Sequence, residues 1–194
     1  NIPFLDLDFW NYNTGITMNF GDSYDDYSFM ENRMDLNFFK GNFSGWLQYE
    51  YSDPPELGYP IKDLRKYRFE YSYGPWKFKY GDIYEIWGRG LVLNQFDDQI
   101  TNFDNGSRGM LLEYSDGPFI ISHINGNSNM YSNQYSDLIP DFNNVHNMNA
   151  NRVQYDFNNF ALGLTQLRSN EEHQVTLGPN VSLNHNLKGA YFSM

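Results

Sequence analysis

Residues 67–80 read Tyr-Arg-Phe-Glu-Tyr-Ser-Tyr-Gly-Pro-Trp-Lys-Phe-Lys-Tyr, and this stretch decides the fold. Aromatic residues occupy every second position on both sides of Gly74-Pro75, and charged or small polar residues lie between them. A period of two is the spacing of a β-strand, because successive side chains point to opposite faces. Gly-Pro marks a turn. The stretch therefore predicts a β-hairpin with one aromatic face and one charged face.

The same pattern recurs along the chain. Apolar residues alternate on both sides of three further turn signals, at 40–42, 115–118 and 158–159. Weaker strands are indicated around Ile16–Phe20 and between Val175 and Phe192. Runs with helical periodicity are scarce, and no apolar run approaches the roughly 18 residues of a membrane-spanning helix. The sequence thus predicts an all-β chain of about ten antiparallel strands.

The connections between these strands alternate in length. Tight turns are followed by long polar segments at 21–32, 52–63, 88–107 and 125–149. A barrel of the outer membrane has short turns on one side and long loops on the other. The 16 Tyr, 16 Phe and 4 Trp residues favour the same architecture, because amphipathic rings sit well at lipid–water boundaries. We therefore expect an up-and-down transmembrane β-barrel, or part of one, with aromatic side chains facing lipid and charged side chains facing the lumen.

Composition excludes several functions. A net charge of -11 argues against nucleic-acid binding, because phosphates require Lys and Arg to neutralise them. Cysteine is absent, which removes thiolate metal sites and Cys nucleophiles. The sequence contains no GxGxxG, HExxH or GxSxG motif. We expect no cofactor, no metal and no enzymatic activity; the expected partners are the lipid bilayer, small polar solutes and other envelope proteins.

Charged residues on the strands form the candidate site. Mixed charges along a lumen would tune the passage of polar solutes, and they would equally brace the barrel wall. The run 81–91 adds three charges around a tight turn at Gly88 and Gly90, and this turn is expected to aim Arg89 towards Glu85 or Asp82. The complete predicted lumen cluster is Arg68, Glu70, Lys77, Lys79, Asp82, Glu85, Arg89, Arg108, Glu113 and Arg152.

Acidic residues also cluster in two predicted loops, at Asp22, Asp25 and Asp26 and at Asp97, Asp98 and Asp104. Oxygen-rich loops can bind calcium, but the spacing of an EF-hand is missing. We therefore predict solvated loop charge at both places. His123 adjoins a predicted strand and is interpreted as a lumen or interface histidine.

Residues 32–114 carry a family resemblance. The matching features are Asp53-Pro54-Pro55-Glu56-Leu57-Gly58 after a strand, and above all the run from Gly81 to Leu91 followed by Asp97-Asp98. These features resemble an uncharacterised family of predicted outer-membrane β-barrel proteins of Gram-negative bacteria. Ile83 stands where that family has an aromatic residue. The resemblance implies an envelope location, but it brings no substrate and no functional residue.

The leading hypothesis is a single domain over 1–194 that acts as a channel or scaffold in the cell outer membrane, with a charged lumen and long extracellular loops. We expect it to be a fragment of a longer barrel for two reasons. No leader is visible, and the chain ends Phe192-Ser193-Met194, whereas outer-membrane barrels commonly end in an aromatic residue. The alternative is a secreted, soluble β-sandwich that binds carbohydrate through Trp46, Trp76 and Trp87. A barrel hydrolase would require a Ser-His or Asp-His pair, which the sequence does not place.

Overall fold

The computed structural model describes residues 10–23, 27–56, 60–98, 103–132, 142–173 and 181–193. Ten long strands and four strands of two residues make up these parts, and no α-helix occurs in them. The long strands are β1 (Asn11–Ser23), β2 (Tyr27–Lys40), β3 (Phe43–Ser52), β4 (Ile61–Tyr73), β5 (Trp76–Ile83), β10 (Ser107–Asp116), β11 (Phe119–Ser132), β12 (Phe142–Asp156), β13 (Ala161–His173) and β14 (Val181–Ser193). The short strands are β6 (Ile86–Trp87), β7 (Leu93–Asn94), β8 (Asp97–Asp98) and β9 (Phe103–Asp104).

The ten long strands form one antiparallel, up-and-down sheet. Each strand pairs with the next in the order β1-β2-β3-β4-β5-β10-β11-β12-β13-β14. The hairpin predicted at Gly74-Pro75 is confirmed, because Tyr73 lies opposite Trp76. The all-β, antiparallel prediction is therefore confirmed. In the described parts of the chain the sheet stays open, with β1 and β14 at its two edges, and it does not close into a barrel.

Two of the predicted loops are largely strand. Residues 21–32 were predicted to be a loop, but β1 continues to Ser23 and β2 begins at Tyr27. Residues 125–149 likewise belong mostly to β11 and β12, which pair from Phe119–Tyr155 to Ser132–Phe142. These segments carry polar residues on both faces, so they have no apolar alternation that a sequence can reveal. Backbone pairing with neighbouring strands makes them extended.

No helix in the described parts is long and apolar enough to cross a membrane.

The sheet has two chemically different faces. One, which we call the aromatic face, carries Tyr67, Phe69 and Tyr71, and the polar face carries Arg68 and Glu70 between them. Large apolar side chains on the aromatic face are exposed, for example Phe20 at 80% and Tyr73 at 67%.

The buried apolar cluster lies on the polar face. The segment between β5 and β10 (the inserted segment, residues 84–106) brings Trp87 and Leu93 against Ile83, Leu111 and Ile124. Trp87 is only 1% exposed, and the guanidinium of Arg152 lies 5.0 Å from its ring centroid. The inserted segment therefore covers much of the polar face of β5 and β10–β13, and it reaches β14 at Gly189 and Tyr191.

Candidate functional site

A buried ion cluster anchors the inserted segment to the sheet. Lys66 of β4 is 3% exposed, and its Nζ lies 2.7 Å from Asp97 Oδ2 and 2.8 Å from Asp104 Oδ2. The two carboxylates meet because Asp97 and Asp104 are paired across β8 and β9. Tyr84 completes the cluster: its hydroxyl donates to Asp104 Oδ2 at 3.1 Å. Burial, reinforced by the charges of Asp104 and Asp97, raises the pKa of Tyr84.

A second cluster is centred on Glu50 of β3, which is 2% exposed. Its Oε2 accepts a hydrogen bond from Arg33 Nε at 3.3 Å and another from Arg65 Nη1. Arg33 Nη2 also lies 3.6 Å from Glu31 Oε2. Buried charges are costly unless they are paired. This cluster therefore gives β2, β3 and β4 a desolvated polar face that is bound together by ion pairs.

Seven of the predicted lumen charges form three separate groups on the polar face. In the first, Arg68 Nε lies 2.7 Å from Glu70 Oε1, and Lys77 Nζ lies 3.6 Å from Glu70 Oε2. In the second, Lys79 Nζ donates to Glu85 Oε1 at 2.7 Å. The third joins Arg152 Nη2 to Glu113 Oε2 at 2.9 Å. The structure therefore places these charges in local groups of two or three and not in one constriction.

Asp82 and Arg108 were predicted on the charged face, and the strand register places them on the aromatic face. Asp82 follows Tyr80 by two residues and lies opposite Arg108, which precedes Met110 by two. Strict alternation puts all four side chains on one side of the sheet. Arg108 Nε donates to Asp82 Oδ1 at 2.9 Å, so the two charges compensate each other there.

The predicted turn at Gly88 and Gly90 has an unusual backbone. Gly88, Arg89 and Gly90 have φ values of 60°, 57° and 83°, three consecutive residues in the left-handed region that favours glycine. The Arg89 side chain is exposed. The two carboxylates predicted to receive it, Glu85 and Asp82, are bound by Lys79 and Arg108.

Sequence reasoning missed the roles of several charges. Asp97 and Asp104 were predicted as solvated, yet they bind Lys66. The signal was absent because Lys66 and these carboxylates are more than 30 positions apart in the chain.

Asp25 and Asp26 lie outside the described residues. In the described parts, no three His, Cys, Asp or Glu side chains are grouped so that they could hold a metal ion. His123 is on the aromatic face, with Nδ1 2.8 Å from Asn151 Oδ1.

The aromatic face also carries an array of amides that the sequence did not suggest. Two rows of polar side chains cross β11, β12, β13 and β14, with one residue from each strand in each row. We call these eight residues the asparagine grid: Asn125, Asn149, Arg168 and Asn186 in the first row, and Asn127, Asn147, Asn170 and Asn184 in the second.

No protein-family model, curated protein or solved structure matches this chain. The resemblance of residues 32–114 to outer-membrane barrel proteins therefore stays a prediction.

Proposed function

We propose that this chain forms a transmembrane β-barrel, or part of one, in the outer membrane, where it acts as a channel or scaffold. The observation that carries the proposal is the inverted polarity of the sheet. Phe20 and Tyr73 are exposed on one face, while Glu50 and Lys66 are buried on the other. In water this arrangement exposes apolar area at a cost of roughly 25 cal/mol per Å². In hydrocarbon the same face is favourable, so a bilayer is the environment that fits it.

The extent of the aromatic face fits a bilayer. On β1 the face runs from Tyr12 to Phe20, eight residue steps, or roughly 27 Å along the strand at about 3.4 Å per residue. At a tilt of about 40° this span is about 21 Å along the membrane normal, against an apolar band of about 25 Å in outer-membrane barrels.

Aromatic rings cluster at the ends of the strands that are joined by short turns. Trp10 packs against Phe38 with ring centroids 5.6 Å apart, and Trp76 packs against Tyr114 at 4.9 Å. Around the turn after β12, the ring of Phe160 stacks on Phe157 at 4.2 Å. Such clusters resemble the aromatic girdle at a membrane interface. They mark one membrane interface at the strand ends that are joined by short turns, and the shortness of these turns is the feature that supports a periplasmic position for them.

Two features limit how such a barrel works. The free edges of β1 and β14 require pairing in hydrocarbon, either with each other or with further strands, because unpaired backbone groups there cost several kcal/mol each. The inserted segment, held by Lys66, occupies space on the proposed lumen side. A polar solute would therefore pass beside this segment, or pass after its release.

The alternative function, a soluble carbohydrate-binding sandwich, was based on three tryptophans. Trp87 is buried in the inserted segment, whereas Trp76 lies on the aromatic face and Trp46 on the polar face. Arg68 covers Trp46, with its guanidinium 5.5 Å from the ring centroid. These rings do not share a face, so they offer no common stacking platform for a sugar.

The absence of cysteine in the chain allows a direct test. Ile16→Cys and Thr17→Cys place one thiol on each face of β1, at neighbouring exposed positions. Each thiol is labelled with an environment-sensitive fluorophore, and the chain is added to vesicles of phosphatidylethanolamine and phosphatidylglycerol. We expect the Ile16 label to shift its emission to the blue and to be quenched by brominated acyl chains. The Thr17 label should respond to neither.

Phe78→Cys and Lys77→Cys repeat the comparison in the middle of the sheet. If neither label of a pair responds to lipid, or both respond equally, the proposed orientation is wrong. A chain that remains in the aqueous fraction after vesicles are pelleted would contradict membrane insertion altogether.

A further inference from the structure

The asparagine grid forms the floor of a groove of about 740 Å³ on the aromatic face. That volume is within the roughly 300–1,000 Å³ of small-molecule sites. Seven asparagines and two arginines line it, together with Tyr80 and Met110 at its edge towards β5. Among the described residues that line the groove there is no Asp or Glu, although the chain carries 24 acidic residues. The groove is thus neutral to basic in an acidic protein.

The chemistry of this groove selects a class of ligand. Each asparagine amide offers two donors and one acceptor oxygen, which is the pattern that sugar hydroxyls require. Arg168, in the first row of the grid, carries a planar fork of donors that suits phosphate. An array of this kind matches a polyhydroxylated group that also bears phosphate.

The position of the grid narrows the choice to a lipid-linked ligand. On β11–β14 the aromatic face has two apolar rows next to the short turns, the second being Ile121, Val153, Leu164 and Ala190. A row of His123, Asn151, Gln166 and Lys188 follows, and then the grid begins. An amphiphile that laid its acyl chains over the apolar rows would place its headgroup in the groove.

In the membrane orientation proposed above, the register across the sheet puts the grid at the level of the lipid headgroups. One continuous row starts at Tyr12 on β1, passes through Tyr80 and Met110, and ends in the grid at Asn125 and its neighbours. On β1 apolar residues continue for eight more residues, as far as Phe20, towards the strand ends where the inserted segment is attached. On β11 the first apolar run ends at Ile121, before the row is reached, and polar residues follow it from His123 to Asn129. The apolar segment therefore shifts along the strands from β1 to β11, as it does in a barrel whose strands are tilted in the bilayer. It leaves the grid just beyond the hydrocarbon boundary.

We propose that the asparagine grid binds the phosphorylated saccharide headgroup of a glycolipid in the outer leaflet. The proposal rests on the membrane orientation argued above. Amides and Arg168 hold the sugar and its phosphate, and the apolar rows beneath hold the acyl chains.

The test uses the full chain in micelles of an uncharged detergent, with a fluorescent, bisphosphorylated, acylated glucosamine disaccharide as the probe. Binding is followed by fluorescence anisotropy, and unlabelled lipids compete for the site. We expect the unlabelled disaccharide lipid to compete at least tenfold better than phosphatidylglycerol with the same acyl chains. It should also compete better than its deacylated headgroup.

Variants locate the site. Arg168→Leu and Asn149→Leu should each weaken binding about tenfold, since each removes hydrogen bonds to the headgroup. The double variant Asn184→Leu with Asn186→Leu should also weaken binding. Because it changes only exposed positions on the edge strand, it tests the site even if the single variants misfold. The matched control is Asn32→Leu, an asparagine on the aromatic face of β2 outside the groove.

Unchanged binding by the grid variants overturns the proposal. Equal competition by phosphatidylglycerol overturns it too, because charge alone would then explain the binding. Equal competition by the deacylated headgroup also overturns it, because the acyl chains would then contribute nothing. Insertion is read separately from the labels at Ile16 and Thr17. A chain that inserts but does not discriminate between lipids contradicts only the headgroup site. A chain that discriminates but does not enter vesicles contradicts only the membrane function.

Discussion

Replacing Lys66 by methionine removes the cation that holds the inserted segment. Methionine has a similar length, so packing is largely kept and the main change is electrostatic. Asp97 and Asp104 then lie side by side without their shared partner. Removing one partner of a buried ion pair typically costs 3–5 kcal/mol, because the remaining charge stays desolvated.

The expected cost lies at the lower end of that range. The Asp97 and Asp104 side chains are 16% and 30% exposed, so water can reach them once Lys66 is gone. We expect Lys66→Met to lower the free energy of unfolding by about 3 kcal/mol. The triple variant, which also carries Asp97→Asn and Asp104→Asn, loses the two carboxylates together with the cation and should regain most of this loss.

Urea titration followed by tryptophan fluorescence measures the global stability of both variants. Limited proteolysis between residues 84 and 106 reports release of the inserted segment, and cleavage there should rise in Lys66→Met and fall again in the triple variant. If the triple variant were no more stable than Lys66→Met, repulsion and desolvation of the two carboxylates would not explain the loss. The role given to the ion cluster would then be refuted.

Two further predictions concern single positions. Gly81→Ala should cost at least about 2 kcal/mol in urea unfolding, because Gly81 has φ 111° and an added Cβ would overlap the Tyr67 carbonyl oxygen. Gly15→Ala, where nothing lies near an added Cβ, is the control and should change stability by less than about 0.5 kcal/mol. In the folded chain the pKa of Tyr84 is raised above its ordinary value of about 10. The unfolded chain therefore loses this proton first, so the contribution of Tyr84 to stability is complete below about pH 10 and is lost as the pH rises further. The fall in unfolding free energy above pH 10 should be less steep in Tyr84→Phe, by up to about 1.4 kcal/mol per pH unit; equal slopes would contradict this pKa shift.

Much of the sheet was predictable because its signals are local. The alternation around Gly74-Pro75 predicted both the hairpin and the face on which Tyr71 lies. The same period of two also places Asp82 on the face of Tyr80, so the position of Asp82 is encoded locally in the sequence although it was predicted on the charged face. The asparagine grid was different. Asn125 and Asn149 lie in a segment without apolar alternation, and only the pairing of β11 with β12 makes them neighbours.

By itself, the sequence determined where the tight turns fall, which residues beside them form strands and which of those side chains share a face. It did not reveal the strand segments within 21–32 and 125–149, which lack apolar alternation. These properties follow from backbone geometry over a few residues, and a period of two is visible without knowing the fold. Only the tertiary structure decided that the inserted segment covers part of the polar face, that Lys66 meets Asp97 and Asp104, and that two rows of amides align across four strands. Such contacts depend on register summed over many strand pairs and on a segment folding back over the sheet, and neither leaves a periodic trace in the chain.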